Sequence, residues 1–333
     1  GLTVQLYFWA KTFVSKGWSV FSFSNNKTCC IEGIHLLCLK KYRYVDVVYN
    51  FFFSLYVLLC IRPEIVVFRG ADRSLFWVAL LAKIVQAKCI LFGASDVNFV
   101  PGKDILVGNK INTMLYRHSL SFVSHVIVQN ENQKRTLLAN YNKGSLIIPN
   151  IWPNTPAVSD ANIKYDVLWV ANMRRLKRPE WFISLAKEMP NFKFAMVGGV
   201  TFGDRDYFLQ VRQKAKSIDN LSFLGSMPFE EVNNLFGKVK VLVCTSEYEG
   251  FPNTFLQAWS NGIPVVSTVD PNHLLSSSFL GYFVKNQNEL HSRVELLLED
   301  QSRYKTLSKN IKEYFERSHS ATIAFEHLMS YIE

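Results

Sequence analysis

Apolar and polar positions alternate in blocks along this chain, and the blocks change period. In the first half, Leu2 to Lys16 has the spacing of an amphipathic helix that ends near Gly17. A short strand, Trp18 to Phe23, follows, then an apolar helix from Val45 to Cys60. Strands are predicted at Pro63–Phe68, Cys89–Phe92, His125–Gln129 and Leu146–Ile148, and helices at Leu75–Gln86, Ile105–Leu120 and Asn132–Tyr141. Strands separated by helices imply parallel βαβ units. Ile151 to Ala161 breaks the pattern with Pro153, Pro156 and small polar residues, which is the signature of a linker. The alternation then resumes. Strands are predicted at Asp166–Val170, Phe194–Val197, Leu221–Leu224 and Val239–Cys244. Helices are predicted at Pro179–Lys187, Asp206–Ser217, Phe229–Phe236, Gln287–Glu299, Gln301–Tyr314 and Ser320–Ile332. The expected fold is α/β, with two domains divided near residue 152 and a final helix within 318–333.

Composition fits that picture. The chain has 333 residues, 49% hydrophobic and 19% charged, enough for two ordinary domains. Its net charge of +10 is lopsided. Residues 1–150 hold 17 Lys and Arg against 7 Asp and Glu, whereas residues 151–333 hold 20 of each. A basic first half suits an anionic membrane surface or a phosphate-bearing acceptor; no nucleic-acid-binding motif accompanies it, so nucleic acid is not an expected partner. The most membrane-like segment, Val47 to Ile61, is interrupted by Asn50 and Ser54 and falls short of the roughly 20 residues a span needs; it reads as a buried or interfacial helix. The six cysteines form no C-x-x-C pair, and most lie in apolar runs, so buried free thiols of a reducing compartment are expected. No histidine spacing marks a metal site, and Asn26-Lys-Thr28 is an isolated glycosylation triplet.

Candidate chemistry concentrates after the predicted strands of the second half. Cys244-Thr-Ser-Glu-Tyr-Glu-Gly-Phe-Pro-Asn-Thr-Phe-Leu-Gln-Ala-Trp-Ser-Asn-Gly-Ile-Pro-Val-Val-Ser267 reads as strand end, acidic loop, helix, helix stop at Gly262 and second strand. A loop feeding a helix N-terminus between buried strands is a place for an anion, and a carboxylate there is suited to reading hydroxyl groups attached to it. Trp169-Val-Ala-Asn-Met-Arg-Arg-Leu-Lys-Arg178 sets four cations between a strand and a helix. Val197-Gly198-Gly199 ends a buried strand and permits close backbone approach, and Phe223-Leu-Gly-Ser-Met-Pro-Phe-Glu-Glu231 joins a strand to a helix. In the first half, Phe92-Gly-Ala-Ser-Asp-Val97 and Arg69-Gly-Ala-Asp72 follow strands in the same way. Asp72 also reads as an ordinary cap before a helix.

The block from Ser246 to Ser267 resembles the signature of retaining glycosyltransferases of the GT-B fold, of the glycosyltransferase family 4 (group 1) type. That family sets a Glu, seven residues, then a second Glu, within a Glu-Gly-Phe-Pro-Asn loop and a Gly-x-Pro-Val-Val exit. Here the first Glu is Glu249, and Gln257 occupies the second position. The resemblance implies two Rossmann-like domains facing across a cleft, and transfer of a sugar from a UDP-, GDP- or ADP-linked donor to an acceptor hydroxyl. It implies a catalytic constellation of Glu249, Arg174 and Lys177. The two cations, with Arg175 and Arg178 as substitutes, would clamp the diphosphate, and Glu249 would meet sugar hydroxyls. Gly250, Phe251, Pro252 and Asn253 would form the donor loop. Gly198 and Gly199 would lie by the donor, Ser226 and Met227 by its base, and Gln257 where an acid would hold the ribose. Asp96, Arg69 and Asp72 are acceptor-side candidates. No cofactor or metal is expected.

The acceptor class implied, together with the basic first half, is a saccharide or lipid-linked saccharide of a bacterial surface polysaccharide or glycolipid. That places the protein in the cytoplasm, peripheral on the inner face of the membrane. The family opens with a strand and glycine loop before the first helix, so a missing first strand is expected, and the resemblance implies that the final helix, 318–333, crosses back to the first domain. Two other readings stay open: a non-catalytic GT-B protein that binds a nucleotide sugar or partner enzyme, and a nucleotide-sugar epimerase.

Overall fold

A computed structural model describes residues 2–24, 28–39, 46–102, 110–153, 163–201, 203–249, 251–277 and 279–333. The chain divides into two compact units, Gly1–Ile151 with Ala321–Glu333, and Trp152–Ser320.

Among the described residues, the first unit holds seven strands: β1 (Val20–Ser24), β2 (Cys29–Ile31), β3 (Ile34–Cys38), β4 (Ile65–Arg69), β5 (Lys88–Phe92), β6 (His125–Val128) and β7 (Leu146–Ile147). β4-β5-β6-β7 form a parallel sheet in sequence order. Helices Asp46–Ile61, Leu75–Ile84, Lys110–Phe122 and Glu131–Tyr141 alternate with these strands. Cys89, Leu91, Val126 and Val128 of the sheet pack with Leu75, Ala79, Tyr116, Leu120 and Leu137 of the helices into one buried core. Helix Leu75–Ile84 stops short of the predicted Gln86 because that residue is left-handed, φ 61. Residues 103–109, where the helix over 105–120 was expected to start, lie outside the described residues, as do most of the linker and Asn26.

Two findings depart from expectation. β1-β3-β2 is a separate small sheet, with β1 parallel to β3 and β2–β3 a hairpin. Glu32 (φ 50) and Gly33 (φ 80) form its turn, a primed geometry that matches strand twist. No apolar alternation announces β2, which is exposed throughout. For the same reason the expectation of buried thiols fails: Cys29 and Cys30 on β2, and Cys60, are exposed, and only Cys89 is buried. Burial pushes the Cys89 thiol up to about 12.

Helix Ala321–Ile332 belongs to the first unit. Phe325 meets Phe13 of helix Leu2–Ser15 edge-on at 5.1 Å, and Lys88 Nζ donates to Ile332 O at 2.6 Å.

The second unit holds β8 (Tyr165–Val170), β9 (Phe194–Val197), β10 (Leu221–Gly225), β11 (Val239–Cys244), β12 (Val265–Ser267) and β13 (Gly281–Phe283). All pair in parallel, in the order β10-β9-β8-β11-β12-β13. Numbered within the unit this is 3-2-1-4-5-6, the order of a dinucleotide-binding Rossmann sheet. After an Asp166–Lys240 ion pair (2.8 Å) at the starts of β8 and β11, the inner strands read as continuous apolar runs, as expected where helices cover both faces. Val167, Leu168, Trp169, all of β9, and Val241 to Val243 are buried. β13, three residues long, is too short to be read from sequence; Gly281 fits it, since a Cβ there would stand 1.9 Å from Val265 O. The two units are each α/β with parallel sheets between helices, the Rossmann-like pair that the sequence predicts.

Candidate functional site at the switch point of the second sheet

β8 and β11 are neighbours, but the chain leaves β8 toward β9 and leaves β11 toward β12, on opposite sides. Loops leaving their carboxyl ends therefore diverge, and such a crevice is where open α/β sheets bind ligands. Residues 171–178 leave β8 and lead to helix Pro179–Glu188; residues 245–252 leave β11 and lead to helix Asn253–Ser260.

Thr245 fastens these loops together. It is fully buried, its Oγ1 accepts from Trp169 Nε1 at 3.0 Å, and it donates toward Lys177 O (2.6 Å) and Arg178 O (3.0 Å). Arg178 adds a second tie. Held left-handed at φ 45 before Pro179, it donates Nε to Thr245 O (2.9 Å) and Nη2 to Ser246 O (3.1 Å), and its guanidinium covers Trp181 at 4.5 Å. Glu247 N donates to Leu176 O at 2.8 Å, and Thr268 Oγ1 to Ser246 O at 2.6 Å. None of these roles is visible in the sequence, where Thr245 is one more residue after an apolar run and Arg178 one more cation.

These ties sort the four cations. Arg178 is occupied with backbone carbonyls, and Arg175 lies over the Tyr207 ring at 4.6 Å. Tyr207 OH in turn donates to the Glu180 carboxylate, and burial with that carboxylate holds its phenol well above the usual range. Arg174 is exposed and has no hydrogen-bond or ion-pair partner among the described residues. Lys177 Nζ pairs with Glu249 Oε1 across the two loops, both side chains about four-fifths buried (17% and 24% exposed). Ser246 Oγ donates to the same Glu249 oxygen at 3.0 Å. The structure thus brings Lys177 and Glu249, 72 residues apart, to one point, and leaves Arg174 beside them in sequence with its charge uncommitted.

Phe251 anchors the loop, with its ring 5.6 Å from His319 and 6.1 Å from Trp259. Gly250 lies outside the described residues. Pro252 caps helix Asn253–Ser260 with extended backbone, and Asn253 opens the helix. Gln257 is 5% exposed, and its side-chain amide has no hydrogen-bond partner among the described residues. Its backbone carbonyl accepts from Ser260 Oγ and Asn261 Nδ2.

Gly198 permits close approach, but of backbone to backbone. A Cβ there would stand 2.0 Å from Ala171 O at the exit of β8. Gly199 stands against Ser226, whose Cβ and Oγ would be 3.2 Å from an added Cβ. Met227 lines a recess of about 300 Å³ with Lys164, Tyr165 and Lys238, at the entrances of β8 and β11.

The first-unit candidates are all engaged. Asp96 accepts from Asn130 Nδ2 (3.1 Å), Asn132 Nδ2 (3.3 Å) and Gln133 Nε2 (2.9 Å), which ties the segment after β5 to helix Glu131–Tyr141. Asp72 Oδ1 accepts from Ser74 N at 2.7 Å, at the entry to helix Leu75–Ile84. Arg69 Nη2 donates to Asn150 Oδ1 at 2.9 Å, and its buried Nε has no partner among the described residues; burial lowers its pKa to about 10. Among the described residues, no group of three His, Cys, Asp or Glu is placed to hold a metal ion.

Residues 156–314 match the family model described as Glycosyl transferases group 1. The O-antigen biosynthesis glycosyltransferase WbnH of Escherichia coli is 27% identical over 123 residues, 36% of this chain and 33% of the relative. The uncharacterized glycosyltransferase MJ1059 of Methanocaldococcus jannaschii is 25% identical over 237 residues, 62% of this chain and 56% of the relative. The chain thus spans a third to about half of the length of these relatives. Among solved structures, HepE of Anabaena, crystallised with UDP and glucose, superposes with a TM-score of 0.74 at 13% identity, covering 99% of this chain and 95% of that one. Sucrose-phosphate synthase of Thermosynechococcus elongatus gives 0.73 at 16% identity, covering 98% and 92%. The whole chain therefore has the two-unit fold of GT-B glycosyltransferases, and residues 156–314 within its second unit match the family model of the group 1 glycosyl transferases.

Proposed function

We propose that this chain transfers a sugar from a nucleotide-sugar donor to an acceptor hydroxyl with retention of configuration. The observation that carries the reading is the meeting of Lys177 and Glu249 at the switch point, with Arg174 exposed and uncommitted three residues before Lys177. As a glycosidic bond to a diphosphate breaks, negative charge grows on the leaving group. Fixed cations in a half-buried crevice stabilise that charge more than they stabilise the bound donor, which is the condition for catalysis. Arg174 and Lys177 supply the cations. Glu249 accepts from sugar hydroxyls, with its orientation set by Ser246, and the amides that open helix Asn253–Ser260 add a positive end. The ion pair holds the Lys177 and Glu249 side chains in place, and the donor exchanges it for two new contacts. The acceptor attacks the face the diphosphate leaves, and a phosphate oxygen takes its proton, so no protein nucleophile is required.

UDP is the favoured nucleotide, since HepE was crystallised with UDP and glucose, and the name of WbnH points to surface polysaccharide as the pathway. Peripheral residence on the inner face of the membrane follows from such an acceptor. The test is incubation of the full chain with UDP-, GDP- and ADP-sugars without acceptor, following free nucleotide. Slow release from one donor, lost in Glu249→Ala and unchanged by a chelator, is expected. No release and no saturable binding of any donor would leave the non-catalytic reading, which the amide at Gln257 favours.

A further inference from the structure

Helix Asp46–Ile61 of the first unit has no basic residue, and its one acid, Asp46, is its first residue. An apolar helix of this kind is normally covered on all sides. Val57 and Leu58 are indeed buried, yet Phe52, Tyr56 and Leu59 are 61%, 66% and 52% exposed. These three recur at i, i+4 and i+7, so they form one stripe, and Val57 and Leu58 point to the opposite side. The stripe continues onto the neighbouring helix Leu75–Ile84. Trp77 is half-exposed with its ring 5.5 Å from Phe51, and Ile84, two turns on, is also exposed. That second helix has no acid. Exposed cations flank both helices: Arg62 directly follows the first, Arg73 lies two residues before the second, and Lys83 lies in its last turn.

We propose that this stripe docks the protein on an anionic lipid bilayer. Aromatic and leucine side chains insert at the level of the headgroups, while Arg62, Arg73 and Lys83 meet lipid phosphates. The combination of an apolar stripe with basic flanks is what an interfacial helix requires, and the charge excess of the first 150 residues points the same way. At 16 residues the helix is too short to span, and no described helix is long and apolar enough to cross a membrane. The surface therefore lies on the bilayer.

The experiment is co-sedimentation of the full chain with vesicles of phosphatidylglycerol and phosphatidylcholine, and with phosphatidylcholine alone. It needs no donor, so its outcome is separate from that of the transferase assay. The native chain binds the anionic vesicles and releases them as salt is raised. The combined Phe52→Ser, Tyr56→Ser and Leu59→Ser chain, with unaltered circular dichroism, loses about 100-fold in partitioning. Leu209→Ser, an equally exposed leucine of the second unit, changes nothing. Absence of vesicle binding by the native chain, equal binding by the triple variant, or equal binding to neutral vesicles would each overturn the proposal. So would concentration-dependent self-association that the triple variant abolishes while vesicles go unbound, since that assigns the stripe to a second copy of the chain.

Discussion

Thr245→Val is the substitution that tests how the candidate site is held. Valine has nearly the shape of threonine, so the buried position is refilled and no cavity opens. What goes is one hydroxyl serving three partners: Trp169 Nε1, Lys177 O and Arg178 O. Trp169 is 1% exposed, so its indole N–H finds no water, and a buried unsatisfied donor costs about 1–3 kcal/mol. The two carbonyls sit on half-buried residues and recover part of their bonding from solvent, adding about 1 kcal/mol. The new methyl returns about 1 kcal/mol of apolar burial. The net expectation is destabilisation by about 1–3 kcal/mol, read as a lower urea midpoint at unchanged slope. Thr245→Ser keeps the hydroxyl and loses only a methyl, so it should cost about 1 kcal/mol. Donor affinity should fall in the valine variant alone, because Lys177 is positioned through its own carbonyl. If valine proves as stable as threonine, or serine proves the worse of the two, the hydroxyl is not the staple and the argument for how Lys177 meets Glu249 fails.

Gly198→Ala should destabilise by about 2–3 kcal/mol in urea, since its Cβ would sit 2.0 Å from Ala171 O and the exit of β8 must shift; Gly199→Ala, facing the Ser226 side chain at 3.2 Å, should cost clearly less. Equal effects at the two glycines would reject the close-approach reading. Gln257→Glu should tighten donor binding by roughly tenfold in equilibrium dialysis, because a carboxylate accepts from both ribose hydroxyls with charge-assisted bonds. Unchanged affinity would show that residue 257 does not touch the donor. The Cys89 thiol, with an ordinary value of 9.0, is pushed up to about 12 by burial, so between those values the folded chain keeps a proton that the unfolded chain loses. Stability should therefore fall as pH rises from about 9 toward 12, by at most about 4 kcal/mol, and Cys89→Ala should flatten that slope in urea melts. An unaltered slope would place the loss in other groups.

Sequence alone determined the elements whose reason is local. Val241–Cys244 is a continuous apolar run because a parallel strand is covered on both faces, and Gly262 followed by Pro264 must end one helix and precede one strand. The periodicities place most strands and helices of both units, and the Glu249 block suffices to suggest the family. Local pattern says nothing where the cause is distant. β2 is exposed and three residues long, so only pairing with β3 makes it a strand. Arg174, Arg175, Lys177 and Arg178 are indistinguishable as four cations in five positions. Tyr207, Thr245 and Glu249 assign their different tasks from 32 to 72 residues away. The same holds for Asp96, which the sequence offers as an acceptor contact and the fold surrounds with three amides. A side chain's role is fixed by which donors and charges the tertiary structure brings within about 3 Å of it, and that is set by the strand order, which apolar spacing does not encode.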